Sequence, residues 1–186
     1  DVSSSDLQRT VWRAEFNENA QPWLVDDSKV AVLTPDGQFS VIHTEDGSRV
    51  IETKVEATEE LKSIYVRHWS DRYILITNRP ETEPVRHRMP KHFVAANGSV
   101  YALDEKDGRL HWKANVEGQH TLQSSPANLP ALIFYSRHQQ AKQLAHGGIP
   151  YGTPNTKICC FNLRNGKRLH ESETQGGYDY YYELET

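Results

Sequence analysis

The chain of 186 residues has no stretch near the roughly 18 consecutive apolar residues that a membrane-crossing helix needs. Its longest apolar run is Ala131 to Tyr135. Cysteine is scarce, at two residues, which excludes a disulfide-dense scaffold and leaves the redox compartment open. The composition matches neither collagen nor a coiled coil. Charge of one sign is lacking too: 21 Lys+Arg against 25 Asp+Glu give a net charge of −4, which argues against a nucleic-acid partner. Long amphipathic helical periodicity is missing, and only Gln139 to Ala145 suits a helical turn or two. The chain opens on Asp1-Val2-Ser3, without an initiator Met or a signal-peptide pattern, and so reads as a processed form or a part of a longer protein. A chain this long can bury roughly two thirds of its unfolded surface, enough for one ordinary core.

What is present is a repeat. Val100 to Trp112 reads as a strand, a turn Asp104-Glu105-Lys106-Asp107-Gly108, and a second strand ending in Trp112. Gly108 suits a turn position that needs positive φ. The same grammar runs from Phe39 to Ile51 around Gly47, and from Ile158 to His170 around Gly166. Trp12-Arg13-Ala14-Glu15 matches Trp112-Lys113-Ala114-Asn115, so an earlier unit ends near Trp12. Between the hairpins lie further short strands: Trp23 to Val25, Val30 to Thr34, Ile64 to Trp69, Tyr73 to Thr77, a vaguer stretch near Leu122, and Ala131 to Tyr135. About four short strands per repeat predict an all-β fold of propeller blades. The blade-like units cover 12–53, 54–113 and 114–171, and 172–186 starts a further or closing strand in which Tyr178, Tyr180, Tyr182 and Leu184 share one face. Closed propellers have four to eight blades. Three blades therefore read as a fragment of a larger closed propeller, completed by blades from the same chain or from other copies.

Tyr101-Ala102-Leu103-Asp104 with Gly108 and Trp112 resembles the repeat of pyrroloquinoline-quinone-type (quinoprotein-like) β-propellers. The resemblance implies that the Trp docks onto a neighbouring blade near the small residue of its hairpin. The repeat-defining positions are then Trp12, Gly47, Ala102, Asp104, Gly108, Trp112, Cys160 and Gly166. Two hairpins depart from the pattern. The first has His43 and Ile51 at the Asp and Trp positions, and the third has Asn162 and His170. By resemblance alone, the chain is expected outside the cytoplasm, in a bacterial periplasm or envelope. Some family members bind other proteins and others are quinone-dependent dehydrogenases.

The repeats lengthen in one place. Strands two and three of the first unit are joined by Pro35-Asp36-Gly37, whereas the second unit has Arg79 to Ser99 there and the third has Arg137 to Lys157. In an alternating antiparallel blade both insertions leave from the same face, and loops of this length are commonly functional. They are rich in cations and histidine: Arg86, His87, Arg88, His92, Arg137, His138, Lys142 and His146 form a candidate site for an anionic ligand or a protein partner. Chemistry is harder to find. His87 and His92 lack the further convergent ligands that zinc requires, and no Asp-rich loop supplies calcium's six to eight oxygens. Adjacent Cys159-Cys160 invites comparison with the vicinal disulfide of quinone-dependent dehydrogenases. In a strand the two thiols point to opposite faces, and Cys160 falls where Ala102 and Val41 stand, as a small buried apolar residue. The sequence thus predicts no catalytic, metal or cofactor-binding residue in this chain, and a non-catalytic binding or scaffold module. The alternative is part of a quinone-dependent dehydrogenase whose cofactor residues lie mostly elsewhere.

Overall fold

The computed structural model of the chain describes residues 12–80, 93–123, 129–139 and 154–175. The chain divides into two compact units, Asp1–Arg88 with Ala96–Glu117, and Met89–Ala95 with Gly118–Thr186. Every regular element among the described residues is a β-strand, and every strand pair is antiparallel.

In the first unit, β1 (Gln21–Asp26), β2 (Lys29–Leu33), β3 (Gln38–His43) and β4 (Arg49–Lys54) pair in sequence order as a four-stranded sheet. Next come β5 (Ser63–Trp69), β6 (Arg72–Asn78), β7 (Phe93–Asp104) and β8 (Leu110–Leu122), again adjacent in order. Burial separates the inner strands from the outer one. β3 and β6 are buried on both faces, so their sequences FSVI and YILIT are continuous rather than alternating. β4 instead is largely exposed, with Arg49 and Glu52 exposed and paired at 2.5 Å and only Ile51 turned fully inward. Charges on an outer strand discourage edge-to-edge pairing with other chains.

Register fixes which side chains meet. Leu33 lies opposite Phe39, and Phe39 opposite Thr53, while Ala31, Val41 and Ile51 form the next row. These residues pack with Ile64, Val66, Leu75, Tyr101 and Leu103 of the following strands into one core. Trp23 joins it edge-on to Tyr65, with ring centroids 5.2 Å apart. Each large side chain so buried contributes about 1.5–3 kcal/mol.

The second unit holds the end of β8 with β9 (Ala131–Gln139), β10 (Pro154–Asn162) and β11 (Arg168–Gln175). Thr121 lies opposite Phe134, and its hydroxyl donates to the Ile133 carbonyl at 2.9 Å. Leu132, Phe134, Phe161 and Leu163 are buried, with the two Phe rings edge-to-face at 5.7 Å.

Two expectations change. The vaguer strand near Leu122 is the continuation of the Trp112 strand: β8 runs unbroken through both, with Gly118 at φ +58 where the first unit gives way to the second. Gln139 ends a strand rather than starting a helical turn, because its ladder with β10 extends to Pro154. The rest of that segment, and the Tyr178 to Leu184 stretch, lie outside the described residues.

Candidate functional site

The three glycine hairpins share one set of backbone hydrogen bonds. The amide of residue 43, 104 or 162 donates to the carbonyl five residues on, at 2.8, 2.9 and 2.8 Å. The glycine amide donates back to that same residue at 3.0, 3.0 and 2.8 Å. Gly47, Gly108 and Gly166 take φ of +74, +72 and +67, so glycine is dictated by the turn. Asp104 and Asn162 each accept from the backbone amide two residues later, at 2.9 and 2.8 Å, and His43 has no oxygen to do so. Three residues on, Asp46, Asp107 and Asn165 cap all three hairpins alike, accepting from the amides of Ser48, Arg109 and Lys167 at 2.9, 2.9 and 3.0 Å, and Asp46 also accepts from the Ser48 hydroxyl.

These bonds hold the Asp46 and Asp104 carboxyls below their ordinary value of 3.8; the Ser48 hydroxyl leads for Asp46 and the Lys106 amide for Asp104. A depressed carboxyl stabilises the fold above its unfolded pKa and ceases to as pH falls through the folded one. On acidification below about pH 4, the amide resonances of Ser48 and Lys106 are therefore expected to move, as their acceptors protonate. Those of Arg164 and Lys167, held by Asn162 and Asn165 at 2.8 and 3.0 Å, should not follow, because an amide side chain does not titrate. A nuclear magnetic resonance pH titration reads both.

A second recurring tether aligns the repeats. Thr44, Glu105 and Leu163 amides donate to the carbonyls of Ser28, Asp71 and Pro130, at 2.9, 3.0 and 2.9 Å. Six residues past those carbonyls stand Thr34, Thr77 and Ser136. Thr34 exchanges hydroxyl bonds with the Gln38 backbone at 3.0 and 3.2 Å, and Thr77 does the same with Ser99 at 3.0 and 3.3 Å. This fixes the frame: residues 35–37 in the first unit correspond to 78–98 in the second and, by the third tether, to 137–156. The first insertion thus starts and ends one residue before where spacing alone sets it, the second starts at the same residue and ends one earlier, and their ends are not free loops. Asn97 donates to the Asn78 side chain at 2.8 Å, and Arg79 donates to the Asn97 carbonyl at 3.0 Å. In the third repeat β9 and β10 stay paired through Gln139 and Pro154, and the buried Ser136 hydroxyl has no hydrogen-bond partner among the described residues.

Of the cationic candidates, Arg86, His87, Arg88, His92, Lys142 and His146 lie outside the described residues. The backbones of Arg137 and His138 belong to β9, opposite Thr156 and Asn155.

Trp12 shows how a unit closes onto the next hairpin. Its indole covers Gly47 so closely that a Cβ there would lie 2.8 Å from the ring, and its Nε1 donates to the Thr44 carbonyl at 2.6 Å. The next hairpin differs. Ile51, at the sequence position of the Trp, turns into the core, and the side chain lying against Gly108 is Thr53, at 2.8 Å from a notional Cβ. Beside it opens a groove of about 530 Å³ lined by Thr53, Val55, Tyr101, Leu103, Gly108 and Leu110. Leu110 is 51% exposed. At the groove's margin Lys113 pairs with Glu56 and lies 5.6 Å from the centroid of the Tyr101 ring. The sequence signal for this groove is the missing Trp at position 51, although which residue replaces it is a matter of packing.

Two histidines elsewhere pair with carboxylates. His68 bonds Glu105 at 2.7 Å, and His111 bonds Asp104 at 3.3 Å. Burial first, then the Glu105 and Asp26 charges, pushes the Tyr73 phenol up to about 12 and keeps it protonated near neutral pH. Among the described residues no group of three or more His, Cys, Asp or Glu side chains could hold a metal ion.

Both cysteines are free, with the burial reversed from expectation: Cys159 is buried and Cys160 only half-buried. Cys159 stands on the face of Phe134 and Phe161, opposite Phe134 in register, whereas Cys160 shares the other face with Ile133. Burial raises both thiols above their ordinary value. An Ellman titration should return two thiols from unreduced, denatured protein and react slowly with the native form; one disulfide per chain would refute this arrangement.

The sequence profile of a family of pyrroloquinoline-quinone-type repeats, described as outer membrane protein assembly factor BamB, matches residues 2–179. No curated protein sequence matches the chain. Among solved structures, BamB from Moraxella catarrhalis is similar over 80% of this chain and 51% of its own, with 12% identity and a TM-score of 0.37. A europium-containing methanol dehydrogenase is similar over 84% of this chain and 24% of its own, with 9% identity and a TM-score of 0.45. The chain spans about half the length of the BamB structure it matches. With all but its first and last few residues covered by that one profile, the chain belongs to the BamB-like family of pyrroloquinoline-quinone-type β-propeller repeats.

Proposed function

We propose that this chain is a non-catalytic binding or scaffold module that works outside the cytoplasm, in a periplasm or comparable envelope compartment. The observation that carries this reading is the match of an assembly-factor family over residues 2–179. The repeat frame supports the placement of the contact. Both long insertions fall at the same step of the repeat, so in a propeller they leave from one face, and that face receives the partner or an anionic ligand. Arg86, His87, Arg88, His92, Arg137, His138, Lys142 and His146 supply its cations. The blades correspond to units 12–53, 54–113 and 114–171, and further blades, from the same chain or from other copies, close the ring.

The test uses a sulfated oligosaccharide as the anionic probe. Combined replacement of Arg86, Arg88, Arg137 and Lys142 by Gln is expected to weaken binding about tenfold or more and to flatten its salt dependence. Unchanged binding refutes the anion site. The scaffold reading has its own check: pyrroloquinoline quinone with calcium should leave tryptophan fluorescence unquenched in the longest native form of the protein. Saturable, calcium-dependent quenching would overturn it in favour of a quinone enzyme.

A further inference from the structure

The groove beside Gly108 lies at the hairpin that corresponds, in the repeat, to the one an indole covers. At the first hairpin, Trp12 lies across Gly47 and donates its ring N–H to the carbonyl of Thr44. In the second hairpin the repeat frame puts Gly108 in place of Gly47 and Glu105 in place of Thr44. Among the described residues the side chain nearest Gly108 is not an indole. Ile51 is drawn into the core, and Thr53, a much smaller side chain, lies against Gly108 and leaves about 530 Å³ beside it. That volume falls in the range of small-ligand sites. Its apolar lining is the half-exposed Leu110 and Val55, with the edges of the otherwise buried Tyr101 and Leu103 behind them, a surface that suits the flat apolar body of an aromatic side chain.

We propose that this groove receives a tryptophan or similar aromatic side chain from a partner polypeptide, seated as Trp12 is seated over Gly47. Charge at the rim selects the same occupant. Lys113 is paired with Glu56, and Asp36 and Lys54 both line the groove, so charges of both signs stand at the rim and neither sign of ligand is favoured over a neutral ring. At the first hairpin the indole N–H reaches the Thr44 carbonyl, the contact that distinguishes tryptophan from an aliphatic side chain of equal size, and by the repeat frame the Glu105 carbonyl is its counterpart in this hairpin. The groove uses none of the cationic insertion residues, so this site stands or fails apart from the anion-binding face.

The probe is N-acetyltryptophanamide, titrated into the isotope-labelled chain with amide resonances followed by nuclear magnetic resonance. Saturable shifts are expected at Gly108, Leu110 and Glu105. N-acetylleucinamide should bind about tenfold more weakly. Thr53→Trp places a ring of the chain's own in the groove and should abolish the shifts. Should that variant fail to fold, Leu110→Lys, at an exposed position, removes one wall and should weaken binding about tenfold. Absence of saturable shifts, equal affinity for the leucine probe, or undiminished binding in the variant that folds overturns the proposal.

Discussion

Replacing Gly37 by alanine is expected to destabilise the first unit by about 3 kcal/mol or more, from two independent causes. The first is conformational: Gly37 has φ +92, and an L-residue held in such a region pays about 1–2 kcal/mol. The second is steric. A Cβ would lie 2.3 Å from the Val55 carbonyl oxygen and 3.1 Å from the Ala57 amide nitrogen, both backbone atoms that no rotamer change can move aside. Overpacking of this kind costs about 1–3 kcal/mol. The segment cannot simply retreat either, because the Val55 amide donates to the Gly37 carbonyl at 2.9 Å and the Thr58 amide to Pro35 at 2.9 Å. Gly47→Ala is the natural comparison. It carries similar strain at φ +74, but its steric neighbour is the Trp12 ring, a side chain that can shift, so a smaller loss is expected. Urea denaturation of the two variants tests the ranking. A cost below about 1 kcal/mol at Gly37 would mean that the 55–57 connection does not pack on this turn.

The contrast also shows what a sequence can and cannot announce. The glycine hairpins are legible because their requirement is local: a positive φ, and side-chain oxygens that cap the turn amides. The order of strands follows from such punctuation, and so does the all-β class. The insertion boundaries are less legible, since the frame is set by the hydroxyl exchange of Thr34 with Gln38 and of Thr77 with Ser99, pairs that only the folded ladder brings together. Alternation in a strand correctly puts Cys159 and Cys160 on opposite faces, yet it does not say which face is covered. That depends on Phe134 and Phe161, which meet the Cys159 side. The groove is the clearest case. Ile51 in place of Trp is visible in the sequence, whereas Thr53, two residues further on, meets Gly108 only through long-range packing of the fold.

Phe39→Ala should be the most damaging single truncation in that core, at about 3–5 kcal/mol. Phe39 is fully buried in β3, with Leu33 and Thr53 opposite it on either side, and it packs in the cluster that joins the first sheet to Ile64, Leu75 and Tyr101. The loss has a transfer part and a cavity part. The cavity cannot close cheaply, because the neighbouring positions are held by strand ladders on both sides rather than by loops. Phe39→Leu keeps most of the volume and should cost about 1.5 kcal/mol or less. All four tryptophans, Trp12, Trp23, Trp69 and Trp112, belong to the first unit, so their fluorescence reports its unfolding directly. Against a typical stability of about 5–15 kcal/mol, the alanine variant gives up a large share of what holds the unit together. An alanine loss no larger than the leucine loss would show that the side chain is not enclosed. The core would then have to be carried by Tyr101 and Leu75 from the second set of strands, and the first sheet would depend on its ladder hydrogen bonds rather than on what it buries.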